Sequence, residues 1–376
     1  MKAFNPTAPP IEPIESGLVS SDLHDSLFQK IAARAEIEPG SQQVVLGGIG
    51  SGKTTELLLT QKHLRDRGLQ AIYMEASRYT NLAEAGPGAL VAMSGLEMVE
   101  LTMGNEAVRS AAQEMRKYAN GRWVSTEPHD GYYDGYDDGD PQVFIKGKLT
   151  SPTPLVADEV RRIKDSLEAL LETSRAKGDV VAIFDGLDRL PSASRFWEVA
   201  LADLLLLKEL EVPVVTVAPW SMLYDPSSTL ADRFDRVHEL KAETYETLQP
   251  KLEAVLLRRD TAKLLSPEDT RTICHASGGV IRDLMTIARD AGEEAYVTDA
   301  EVIGWTEIAN AVHNLGHSYL RGLSPSQIKA LRYWTEGESF DPGRPEILEL
   351  LMTRRVLQRS TGRYGVHPAL ASLLLK

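Results

Sequence analysis

At 376 residues, with 43% hydrophobic and 25% charged side chains, the chain has the composition of a soluble globular protein and room for two or three domains. No stretch approaches the roughly 18 uncharged apolar residues of a membrane span. The start, Met1-Lys2-Ala3-Phe4-Asn5-Pro6, lacks the apolar core of a signal peptide, so a cytoplasmic location is expected. The lone cysteine, Cys274, excludes an internal disulfide and any cysteine-based zinc site, and a net charge of −13 confines any nucleic-acid contact to a local patch.

Residues 1–20 are proline-rich and read as an extended lead-in. Ser21-Asp22 can cap a helix running through Leu27, Phe28 and Ile31 and ending at Pro39-Gly40. Gln43 to Leu46 is a short apolar run before glycines, which predicts a buried strand. A helix is predicted from Lys53 to about Arg67, with Leu57, Leu58 and Leu64 inward, and a strand over Ala71–Met74. Between these and the next clear strand lies an insertion, 77–178. It is helical over about 107–118 and 156–177 and holds an acidic stretch, 127–140, that reads as a solvated loop. Val180 to Phe184 is a strongly apolar strand ending in Asp185; a helix over 193–209, a strand over 213–218 and a short one over 237–240 follow. Apolar strands alternating with helices predict a parallel α/β sheet covered on both faces. From Tyr245 the pattern is helical only, through Glu294 and again from Asp299 to Leu320. In the last segment two helical stretches precede two short strands around Thr361-Gly362, the pattern of a winged helix.

Gly47-Gly48-Ile49-Gly50-Ser51-Gly52-Lys53-Thr54 matches G-x-x-x-x-G-K-[ST], between a predicted strand and a predicted helix, and Thr55 extends the candidate ATP-binding stretch. Glycines let successive backbone N–H groups turn inward around phosphates. The helix that starts at Lys53 puts its positive end beneath them. Lys53 is expected on the β- and γ-phosphates and the Thr54 hydroxyl on magnesium. Asp185, at the carboxyl end of an apolar strand, is the second metal anchor, on the rim where open α/β sheets bind ligands. Asp188 is either the group that orients the attacking water or a surface acid paired with Arg189.

The order of P-loop, long excursion, Phe184-Asp185-Gly186-Leu187-Asp188 and Val214-Val215-Thr216-Val217 resembles the AAA+ and STAND branches of P-loop ATPases. Leu230 to Arg236 is similar to the AAA+ segment that carries an arginine finger just before the fifth strand. Ala276 to Leu284 is similar to the sensor-2 helix of the origin-recognition type. The resemblance runs from about residue 20 to the C-terminus. It implies that Arg233, with Arg236 as the alternative, is offered to a neighbouring subunit's γ-phosphate, unless each pairs with Asp232 or Asp235. It implies that Arg282 contacts nucleotide from the lid, the alternative being a pair with Asp283 or Glu293. Thr216 falls at the sensor-1 position or is a plain strand residue. AAA+ enzymes follow the metal-binding Asp with a water-activating Glu; here that position is Gly186, closer to STAND switch proteins. STAND proteins add a repeat region after the winged helix, and here the chain stops at Lys376. His367 resembles in position a winged-helix histidine that contacts nucleotide in some STAND proteins; packing against Tyr364 is the plainer reading.

From Gly322 to Lys376 eight Lys and Arg face five Asp and Glu, with Arg354, Arg355, Arg359 and Arg363 near the hairpin. A solvated or protein-facing surface accounts for this better than DNA binding. The acidic stretch lacks EF-hand spacing, which leaves a solvated or partner-docking loop.

The expected fold is a parallel-sheet P-loop core (21–243), a helical lid (244–321) and a C-terminal winged-helix domain (322–376). The expected function is an ATPase using ATP and Mg2+, assembling as a homo-oligomer through shared nucleotide sites and signalling to a protein partner. The alternatives are a STAND-like switch that holds ADP, an ATP-dependent DNA-binding loader, and an adaptor without hydrolysis.

Overall fold

The computed structural model describes Phe4, residues 27–101 except 80 and 84, Ala111, 123–124, 148–149, and 157–374 except 226–229, 241–244, 336–344 and 361–362. The acidic stretch 127–140, the extended segment 1–20 (Phe4 apart) and nearly all of the predicted helix over 107–118 lie outside the described residues. The chain divides into two compact units, one of residues 26–46 and 56–238, the other gathering 47–55 with 239–376.

Five strands form the central sheet: β1 (Gln42–Gly47), β2 (Gln70–Glu75), β3 (Val180–Asp185), β4 (Val214–Val217) and β5 (Arg236–Leu240). Their spatial order is β2-β3-β4-β1-β5. β2 runs parallel to β3, β3 to β4 and β4 to β1, so the carboxyl ends of these four strands share one edge. β1, β3 and β4 are buried at every residue. That is why their sequences read as unbroken apolar runs rather than alternating ones.

In the first unit the sheet is accompanied by α1 (Leu27–Ile37), α2 (Lys53–Asp66, of which 53–55 belong to the other unit), α3 (Ala89–Leu101), α4 (Ala157–Arg175) and α5 (Ala193–Glu209). α2 buries Leu57, Leu58 and Leu64, as its spacing predicts. α3 is a helix the sequence pattern did not reveal. Its run, ALVAMSGLEMVEL, is apolar all round, so no amphipathic period marks it. Its first turn is capped from a distance: the carboxylate of Asp203, on α5, accepts the backbone N–H groups of Gly88 (2.5 Å), Leu90 (2.8 Å) and Val91 (3.2 Å).

A pH-dependent contact holds β5 in the first unit. The Gln43 side-chain nitrogen donates to the Ile31 carbonyl (3.0 Å), which turns Gln43 Oε1 toward His238 Nε2 at 3.0 Å. The ring therefore carries its proton on Nε2. Burial, and then the positive charges of Arg236 and Lys30, push the His238 imidazole down to about 4. The unfolded chain binds the proton at about 6.5 and the folded chain only near 4, so this contribution to stability is complete above about 6.5 and lost as pH falls toward 4. The urea midpoint is expected to fall more steeply across that window in the wild type than in His238→Gln; equal slopes would contradict the assignment.

The second unit carries α6 (Tyr245–Arg259), α7 (Pro267–Ala276), α8 (Ile281–Val297) and α9 (Trp305–Leu320). α9 begins at Trp305 rather than Asp299. Asp299 has a left-handed backbone (φ 54°) that ends α8, Ile303 bridges to Leu265, and the Glu307 carboxylate accepts the Gly304 N–H (3.0 Å) at the true start. Cys274 is fully buried, and burial together with Glu253 pushes its thiol up to about 12, as suits an inert apolar group. The chain ends in a winged helix: α10 (Pro325–Thr335), α11 (Pro345–Met352), the antiparallel hairpin of β6 (Val356–Ser360) and β7 (Arg363–Val366), and α12 (Pro368–Leu374). Among the described residues no helix is long and apolar enough to cross a membrane.

Candidate functional site

The residues of the G-x-x-x-x-G-K-T motif form the loop from the end of β1 to the start of α2. A β-carbon added at Gly47 would lie 2.6 Å from Ser51 Oγ and 2.9 Å from the Leu240 carbonyl oxygen, so only glycine fits where the loop folds back on itself. The Ser51 hydroxyl is buried and has no hydrogen-bond partner among the described residues. Lys53 is 6% exposed, and its ammonium donates to the carbonyls of Gly47 (2.8 Å) and Gly48 (2.9 Å). Thr54 and Thr55 follow, half-buried in the first turn of α2. An ammonium, an unsatisfied hydroxyl and the amino end of a helix of 14 residues together can hold an anion.

In the same unit the loop meets the lid and the winged helix. A β-carbon at Gly50, which has φ +78°, would lie 3.0 Å from Val280 Cγ1, 3.2 Å from Arg282 Cβ and 3.5 Å from Arg354 Nη1. Arg282 thus stands beside the loop on the first turn of α8. Asp283, offered above as a partner of Arg282, has its carboxylate bonded to Arg354 (2.7 Å) and Tyr319 (2.6 Å), and Glu293 pairs with Arg289 at 3.6 Å. His367 does not pack on Tyr364. It is fully buried, with its ring 4.8 Å from that of Tyr319 and Nε2 3.2 Å from Asp283.

In the other unit Asp185 closes β3, 4% exposed. Its Oδ1 accepts the Gly186 N–H (2.7 Å) and its Oδ2 accepts the Tyr73 hydroxyl (2.6 Å). Burial and the Asp185 charge raise the Tyr73 phenol far above its ordinary range, so Tyr73 stays a donor and fixes the carboxylate in place. Glu75 is the register partner of Asp185 on the neighbouring strand. Its Oε1 lies 3.6 Å from where a β-carbon on Gly186 would be. A carboxylate from β2 thus stands beside the position where the AAA+ pattern has glutamate. Arg189, expected beside Asp188, reaches Glu75 (3.2 Å) and Ser77 (3.3 Å) instead. Asp188 is half-buried in a one-turn helix, Leu187–Arg189. Thr216 is fully buried and its hydroxyl donates to the Val217 carbonyl (3.1 Å). Tyr73 and Glu75 carry no motif; the absence of glutamate at 186 is the sequence signal that points to the adjoining strand end.

Arg233 ends a one-turn helix, Leu230–Arg233, and Arg236 opens β5; both are exposed, and neither has a carboxylate partner among the described residues. Asp235 is committed elsewhere, to the Gln42 N–H (2.7 Å) and to Lys208 (3.3 Å). Phe234, between the two arginines, is buried on Trp197 at 5.6 Å and anchors the segment.

No protein-family profile and no curated protein matches the sequence. Among solved structures, the ORC2 protein of Aeropyrum pernix in its ADPNP–ADP complexes is 15% identical over 100% of this chain and 95% of that one, with a TM-score of 0.52. The Cdc6p of Pyrobaculum aerophilum (15% identical, 100% and 97% covered, TM-score 0.43) and the RuvB Holliday junction branch migration motor of Thermotoga maritima (14%, 96% and 96%, 0.43) also match. The strand order β2-β3-β4-β1-β5, the phosphate loop after β1 and the winged helix that follows the helical lid give this chain the fold of the origin-recognition-like AAA+ P-loop ATPases.

Proposed function

We propose that the chain binds ATP with magnesium and hydrolyses it in a site shared between subunits, and passes the nucleotide state to a protein partner. The observation that carries this reading is the phosphate loop, with Lys53 and the unsatisfied Ser51 hydroxyl at the amino end of α2. Gly47 to Thr55 would hold the phosphates, with Arg282 reaching them from the lid. Thr54 and Asp185 would hold magnesium, which supplies positive charge against the phosphate oxygens. Water attacks the γ-phosphorus, the bond to the β-phosphate oxygen breaks, and the water proton passes to a carboxylate, leaving ADP and phosphate.

Asp188, and Glu75 despite its pairing with Arg189 (3.2 Å) and Arg78 (3.4 Å), are the carboxylates put forward for that proton. A turnover loss of about a hundredfold is expected from one of Glu75→Gln and Asp188→Asn. If both variants turn over at the wild-type rate, neither residue handles the water.

Arg233, exposed and without a carboxylate partner among the described residues, suits a finger offered across an interface, with Arg236 as the second choice. The test is complementation. Lys53→Ala and Arg233→Ala should each be inactive, and mixing them should restore turnover, because a Lys53→Ala subunit still offers its arginine to the intact loop of its neighbour. A mixture as silent as its components would sink the shared site.

A DNA-binding role for the hairpin has less support. Arg354 is turned inward, bonded to Asp283 and beside the loop at Gly50, and Arg355 donates to the carbonyls of Tyr319 (2.8 Å) and Arg321 (2.7 Å), which leaves Arg363 as the exposed arginine described there.

A further inference from the structure

Asp283, on the first turn of α8, is 2% exposed and sits at the centre of a buried polar cluster in the second unit. Its Oδ1 accepts from Arg354 Nη1 (2.7 Å) and its Oδ2 from the Tyr319 hydroxyl (2.6 Å). His367 Nε2 lies 3.2 Å from the same Oδ2, and His367 Nδ1 accepts the Ala369 N–H (3.3 Å), which leaves the ring proton on the side facing the carboxylate. Burial alone would raise the Asp283 carboxyl, but His367, Arg354 and Tyr319 together hold it below its ordinary value, so it is ionised. Burial and the Asp283 charge raise the Tyr319 phenol, which keeps it a donor. The carboxylate is bonded by the Tyr319 hydroxyl of α9, with His367 from the end of the hairpin beside it, and what it holds in turn is the guanidinium of Arg354.

Two features show that Arg354 does more than balance a charge. The first is its backbone. Arg354 lies just after α11 with φ 64°, a left-handed conformation that glycine takes freely at a helix end and that costs other residues about 1 kcal/mol. The turn alone would be better served by glycine, so the side chain is what the strain supports. The second is where that side chain lies. It is 18% exposed, stacked over the Tyr319 ring at 5.6 Å, with Nη1 3.5 Å from the β-carbon position of Gly50 in the phosphate loop. A planar, permanently charged fork beside a loop that carries the Lys53 ammonium and the unsatisfied Ser51 hydroxyl is suited to phosphate oxygens.

We propose that Arg354 is a phosphate-binding residue supplied by the winged helix to the nucleotide on the phosphate loop of the same chain, with Asp283 as its positioning residue. The ligand is the diphosphate shared by ADP and ATP, and its binding ties the hairpin module to the loop. His367, on this account, acts behind Arg354 by holding Asp283 rather than by touching nucleotide. The proposal rests on the nucleotide-binding part of the function proposed above.

The test measures dissociation constants of ADP, ATP and AMP for the full chain by competition against a fluorescent ADP. Arg354→Ala should weaken ADP and ATP by about 10- to 100-fold and leave AMP, which has no β-phosphate, within about threefold. Arg354→Lys should retain part of the loss-prone affinity, and Asp283→Asn should weaken ADP but not AMP while keeping the arginine. ADP affinity unchanged in Arg354→Ala, or ADP and AMP weakened alike, would overturn the proposal, the second outcome marking a structural role. If Arg354→Ala fails to melt cooperatively, the Lys and Asn variants decide by the same ADP-to-AMP comparison. A wild type that binds ADP no better than Lys53→Ala would instead sink the nucleotide reading itself, and this one with it.

Discussion

Replacing Lys53 by alanine is expected to weaken ATP and ADP binding by a factor in the hundreds or more, with the fold intact. The Lys53 ammonium, almost buried, rests on the carbonyls of Gly47 and Gly48. Those acceptors are neutral, and phosphate oxygens carry full charge, so nucleotide gives the ammonium stronger partners. Two charge-assisted hydrogen bonds are together worth about 3–5 kcal/mol, each 1.4 kcal/mol being tenfold in affinity. The alanine variant keeps the glycine turn and α2, and its cooperative melt should survive. Titration with a fluorescent ATP analogue checks the result. A variant binding within threefold of wild type would mean that the loop does not hold the phosphates.

The largest expected loss of stability comes from a residue far from any phosphate. Asp203→Ala should destabilise the first unit by about 3 kcal/mol or more, because it leaves the N–H groups of Gly88, Leu90 and Val91 without their acceptor at a buried helix start. Asp203 is 3% exposed, and Leu90 and Val91 are at most 1% exposed, so water does not easily replace the carboxylate. The negative charge also faces the positive end of α3, a further favourable contribution. Asp203→Asn keeps one acceptor oxygen and should lose roughly half as much. Urea unfolding followed by circular dichroism measures both. A loss below about 0.5 kcal/mol for the alanine variant would show that another group caps the helix.

How much of this was legible in the sequence depended on how local each signal is. The phosphate loop announces itself because glycine spacing, lysine and threonine must be contiguous, and β1 before it is buried on both faces and so uniformly apolar. The same holds for β3 and Asp185. α3 escaped because its apolar residues surround the helix and its cap lies 115 residues away in sequence, on α5. The Arg354–Asp283 pair joins residues 71 apart, and Tyr319 reaches Asp283 across 36. No local pattern carries such contacts. Glu75 is an intermediate case. The missing glutamate at Gly186 is visible in sequence, but the strand that brings a carboxylate there is known only from the β2–β3 register.

The central claim is hydrolysis in a site completed by a second copy of the chain. Phosphate release per subunit, measured across a hundredfold range of protein concentration with Lys53→Ala as the blank, tests it most directly. The account predicts a rate per subunit that climbs steeply with concentration and then levels off. A measurable rate that stays flat would place every catalytic group in one chain and remove Arg233 from the mechanism, and no release above the blank at any concentration would contradict the ATPase reading.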